Sequence, residues 1–66
     1  MMISVIEIFK DSSGPKPLGV IASPVVPKIG ELLSINKEDG KILYKILRVT
    51  YEVGINFTCT LEVTKF

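Results

Sequence analysis

The chain has no histidine, no tryptophan and a single cysteine, Cys59, among its 66 residues. Without histidine it lacks the commonest general base, the commonest nitrogen ligand for metals and the usual sensor of pH near neutrality. One cysteine cannot close an internal disulfide, so a disulfide-stapled scaffold is excluded and a reducing compartment fits. Charge of one sign is also scarce. Eight Lys and Arg against seven Asp and Glu leave a net +1, too weak a field to steer the protein toward nucleic acid or an acidic membrane. No apolar run approaches the roughly 20 residues of a membrane-crossing helix. The opening MMISVIEIFKD lacks the basic start, the longer apolar stretch and the small-residue cleavage site of a secretory signal. The expectation is a cytoplasmic protein with no membrane contact. Helical periodicity is missing too, since no segment repeats apolar residues at i, i+3, i+4 and i+7 over the about ten positions a helix requires.

What the sequence does have is alternation with a period of two, which implies an all-β chain forming one domain over residues 1–66. The clearest case is INFTCTLEVT, where Ile55, Phe57, Cys59, Leu61 and Val63 share one face and Asn56, Thr58, Thr60, Glu62 and Thr64 the other. Threonine suits the outer face because its β-branched side chain packs on a pleated surface while its hydroxyl stays solvated. Turn-forming residues divide the rest. KDSSGPKP, residues 10–17, reads as an exposed loop between strands at 3–9 and 18–23. SPVVPKIG, residues 23–30, carries Pro24 and Pro27, which cannot donate to a ladder and mark an irregular crossing. A third strand at 31–36 ends at KEDGK, where Asp39 and Gly40 give the strongest hairpin signal. A fourth strand follows at 41–53, and Gly54 allows a tight reversal into the fifth.

The fourth strand contains a phase slip. Ile42, Tyr44 and Ile46 fall on one face of a regular strand, but Val49, Tyr51 and Val53 fall on the other. One extra residue near Leu47 and Arg48 brings all six to the same interior; this is a β-bulge, which bends a strand and raises its twist. In the first strand Ile3 and Val5 are out of phase with Ile6 and Ile8, a weaker version of the same slip or else a strand apolar on both faces. A flat sheet of this length would leave a face and two edges open, with too little core to offset backbone entropy of about 1 to 2 kcal/mol per residue. The expected fold is therefore a small, five-stranded, partly open barrel with a bulged fourth strand.

The segment from Pro27 to Tyr51, with PKIGE, an apolar strand and then DGKILYKILRV, resembles small SH3-like β-barrel proteins of bacteria and phages. The resemblance implies an SH3-like form of the barrel and a phage or bacterial setting. It brings no catalytic or binding residues with it.

Candidate chemistry is thin. Glu38 and Asp39 are the only adjacent carboxylates, and a hairpin turn is an ordinary place for them. With one cysteine, no histidine and no D-x-D-x-D-G loop, no metal site or cofactor is expected. Cys59 lies at the centre of the most regular strand, where cysteine acts as a small hydrophobe, and no nearby base is available to activate it. None of Gly14, Gly19 and Gly30 opens a helix as a phosphate cradle requires. No enzyme is expected.

Lys41, Lys45 and Arg48 interleave with Tyr44 and Tyr51, the mixture of cations and aromatics that holds single-stranded nucleic acid. Against that reading, both tyrosines lie on the face assigned to the core. The apolar fraction points elsewhere. A chain this small buries only about 60% of its unfolded surface, yet 47% of its residues are hydrophobic and only 23% charged. Val25, Val26 and Phe66 are the candidate contacts for a partner. The leading expectation is a non-enzymatic binding or assembly module that self-associates, most simply as a dimer, or binds another protein. The alternatives are a single-stranded nucleic-acid-binding barrel using Lys41, Lys45 and Arg48, and a phage or mobile-element factor that inhibits a host enzyme or traps a small ligand.

Overall fold

Period-two patterning becomes five strands and no helix in the computed structural model, which describes residues 2–9 and 13–66. They are β1 (Met2–Glu7), β2 (Lys16–Ala22), β3 (Leu32–Lys37), β4 (Gly40–Val53) and β5 (Phe57–Lys65). Residues 10–12 of the expected loop lie outside the described residues. The strand after it begins at Lys16 and so includes Pro17. Proline is tolerated there because β2 is an edge strand whose outer side requires no donor.

The strands form one curled sheet in the order β2-β1-β5-β4-β3. β1–β2, β3–β4 and β4–β5 pair antiparallel, and β1–β5 pairs parallel. Direction alternates along the chain, so the first and fifth strands run the same way and can only meet in parallel. The arrangement is a five-stranded meander rolled into a half-barrel and left open between β2 and β3. The proline-containing connection at residues 23–31 spans that opening, and the Ser23 hydroxyl donates to the Val25 carbonyl at 2.7 Å within it.

Two bulges bend the sheet. On β4, Ile46 faces Val63 and Arg48 faces Glu62, which leaves Leu47 as the extra residue where the phase slip requires one. On β2, Val5 faces Gly19 and Ile6 faces Pro17, leaving Leu18 as the extra residue. The weaker slip in the first strand thus resolves as a strand apolar on both faces. β1 keeps an unbroken parallel register with β5 from Ile3 to Glu7, and the irregularity falls on its other neighbour. The β3–β4 hairpin turns through Glu38 and Asp39, with Gly40 at φ 123°. Only glycine adopts that conformation without strain.

The core comes from the three central strands: Ile3 and Val5 of β1, Tyr44 and Ile46 of β4, and Cys59, Leu61 and Val63 of β5 are buried. Leu18, Ile21, Val26, Leu33, Ile35, Ile42 and Val49 pack around them. The inner face of β1 ends in a carboxylate, Glu7, which is only 4% exposed and lies opposite Lys16.

Candidate interaction surface

β4 has 14 residues, whereas its neighbour β3 and the first strand have 6 each. A strand that outruns its neighbours must project beyond them. The β3 side ends at Ile46, whose N–H donates to the Glu31 carbonyl at 3.0 Å and whose carbonyl accepts from the Gly30 N–H at 2.9 Å. A local turn fixes that end: the Glu31 carboxylate accepts from the Lys28 N–H at 2.5 Å and the Glu31 N–H donates to the Lys28 carbonyl at 3.1 Å. On the other side, β1 accompanies β5 only as far as the Ile3–Cys59 pair. Past Ile46, β4 therefore has only β5 beside it, and past the Tyr51–Cys59 pair β5 has lost β1 as well, so the projecting end, residues 48–53 with their β5 partners, forms an arm that is two-stranded at its tip.

The inner face of the arm continues the core without a break. Val49 lies opposite Leu61, Tyr51 opposite Cys59 and Val53 opposite Phe57, and residues directly opposite share a face. No described residue covers the outer part of this face. Tyr51 is 52% exposed, Val53 82% and Phe57 50%, and Ile55, in the turn between the strands, is fully exposed. The rings of Tyr51 and Phe57, diagonal neighbours, lie 5.7 Å apart at 34°. The expectation that Ile55, Phe57, Tyr51 and Val53 line the interior is therefore corrected: the last three take the correct side of the sheet, but the interior ends at Cys59. On the arm's opposite face Arg48, Thr50 and Glu52 stand against Glu62, Thr60 and Thr58, and Arg48 Nε reaches Glu62 Oε2 at 3.2 Å.

A second apolar feature is the mouth of the half-barrel. Val5, Leu18, Gly19, Val20, Ile21 and Ile35 line a cleft of about 210 Å³ between the β2 and β3 edges. In the core, the Tyr44 hydroxyl is buried and meets no hydrogen-bonding partner among the described residues. Burial also pushes the Cys59 thiol above its ordinary pKa, opposite to the shift an activated nucleophile needs. Among the described residues no three metal-ligating side chains gather, and no helix is long and apolar enough to cross a membrane.

The sequence-derived candidates scatter. Lys41, Lys45 and Arg48 all stand on the outer face of β4, with Lys41 opposite Asn36 and Lys45 opposite Leu32 and Thr64. Tyr44 and Tyr51 occupy the inner face, so cations and aromatics sit on opposite sides of one strand. Val25 is exposed in the β2–β3 connection, while Val26 packs against the core. Phe66 is exposed after β5, its N–H donating to the Leu43 carbonyl at 2.9 Å. The arm residues were not among the site candidates. The signal for them was strand length, since a thirteen-residue run at 41–53 had no equally long neighbour to cover it. In comparisons with known proteins, the chain matches no family model, no curated protein and no solved structure.

Proposed function

We propose that this protein is a non-enzymatic assembly module that self-associates through the β4–β5 arm. The observation that carries the reading is the strip formed by Tyr51, Val53 and Phe57 with Ile55 beside it, continuous with the core face and uncovered. From their exposures these four side chains leave on the order of 500 Å² of apolar surface open, at the upper end of what monomers display outside functional sites. A standard interface takes about 800 Å² from each partner, so the strip would supply most of its apolar centre. Burying about half of it on two copies at about 25 cal/mol per Å² gives about 12 kcal/mol, comparable with the 4 to 15 kcal/mol that association costs, so the expected affinity is modest.

Sedimentation equilibrium from about 1 to 500 µM tests the reading, with a dissociation constant in the micromolar range expected. A monomer at every concentration refutes it. Replacing Lys41 and Lys45 by glutamate leaves association intact on this reading, whereas a nucleic-acid-binding role would be lost with those charges.

A further inference from the structure

The arm has a free margin as well as a free face. Beyond Ile46, no described residue bonds the side of β4 that faces away from β5. Every second residue of a strand turns its N–H and C=O to that side, so the stretch from Arg48 to Val53 presents a row of unused donors and acceptors. Edges of this kind are usually protected by proline, by an inward charge or by a bulge. Here the bulge at Leu47 precedes the open stretch, and no proline lies within it.

Resting on the self-association reading, we propose that the partner at this edge is a second copy, paired β4 to β4 and antiparallel about a two-fold axis at Thr50. A two-fold contact is self-complementary, so residue i meets residue j and j meets i. The axis must pass through a residue rather than between residues, because only then do inner side chains meet inner and outer meet outer. Charge then selects among the centres. An axis at Arg48 or at Glu52 sets like charges against each other. At Val49, Arg48 meets Thr50 and the buried Ile46 is forced opposite the charged Glu52. An axis at Tyr51 leaves both charges without an opposite. With the axis at Thr50, Arg48 of each copy faces Glu52 of the other, Val49 faces Tyr51, and Thr50 faces Thr50. Opposite charges, an apolar pair and a threonine pair are the cross-strand combinations that stabilise antiparallel ladders. About four new N–H···O bonds form across Val49 and Tyr51, and the tyrosine ring, half-exposed in one chain, gains a neighbour. The two half-barrels become one continuous sheet.

Cysteine cross-linking tests the register. Opposed antiparallel residues have Cα atoms about 4.5 to 5.5 Å apart, within disulfide range. Thr50→Cys is therefore expected to form a covalent dimer under mild oxidation about tenfold or more faster than Thr58→Cys, which lies on the same face of the arm but on the other strand. The wild type, with Cys59 buried, sets the background. In a second arm at low salt, Glu52→Arg weakens association by about thirtyfold, and adding Arg48→Glu restores most of the loss. If sedimentation finds a dimer but Thr50→Cys cross-links no faster than Thr58→Cys, or the double reversal restores nothing, the proposed edge and register are wrong while self-association stands. If the chain is monomeric throughout, both readings fall together.

Discussion

Tyr44 and Tyr51 offer a direct test of where the core ends, because they share a residue type, a strand and a face and differ in cover. Tyr44 is fully buried, whereas Tyr51 is half-exposed and touches the Phe57 ring. Truncating a large buried aromatic costs about 3 to 5 kcal/mol. At about 0.05 to 0.15 kcal/mol per residue, a chain of this length has only about 3 to 10 kcal/mol of stability in total. Tyr44→Ala is therefore expected to leave much of the population unfolded. Tyr51→Ala loses a ring pair worth about 0.5 to 1.5 kcal/mol and part of a half-covered side chain, and should cost about 1 to 2 kcal/mol, clearly less than Tyr44→Ala. Its main effect falls on association: roughly 100 Å² of ring is open on each copy, and burying half of that on two copies at about 25 cal/mol per Å² gives about 2.5 kcal/mol, or a weakening of about sixtyfold. Urea unfolding followed by circular dichroism should be run near 1 µM, because dimer formation makes apparent stability depend on concentration. Sedimentation equilibrium measures the second quantity. Equal unfolding costs for the two variants at low concentration would show that Tyr51 is covered within one chain. An unchanged dimer constant would remove Tyr51 from the interface.

Tyr44→Phe removes a buried hydroxyl that meets no partner among the described residues; a gain of about 1 kcal/mol is expected, raising the melting temperature by about 4 to 8 °C, and a lower melting temperature would mean that the hydroxyl is bonded in solution. Gly40→Ala forces a side chain into the positive-φ region at 123° and should cost about 1 to 2 kcal/mol in denaturant titrations; no cost would mean that the β3–β4 turn adopts another form. Burial raises the Cys59 pKa, so the folded state holds this proton more tightly than the unfolded state. Stability should accordingly fall as the pH climbs above the ordinary thiol value of about 8.5, and Cys59→Ala should flatten that decline; an identical alkaline slope in the variant would contradict the buried placement.

The strands were legible because alternation is a local property of the backbone. INFTCTLEVT showed its buried triad of Cys59, Leu61 and Val63, and the slip between Ile46 and Val49 located the bulge at Leu47. The second bulge, at Leu18, was not legible, because its neighbours Pro17 and Gly19 look like loop residues. Nor was the buried Glu7, whose setting depends on strands distant in sequence.

Taken alone, the order of amino acids determined the strand count and, apart from the bulge at Leu18 and the turn residue Ile55, the side of the sheet that the apolar strand residues take, because a pleated strand sends successive side chains to opposite faces whatever surrounds it. Only the tertiary structure decided which of those faces is covered. Ile46 and Val53 obey the same alternation on the same strand, yet one lies beneath the curl of the half-barrel and the other on an arm that β1 and β3 are too short to accompany. Burial depends on what the rest of the chain brings near, and that is a matter of strand length, order and bending rather than of local pattern.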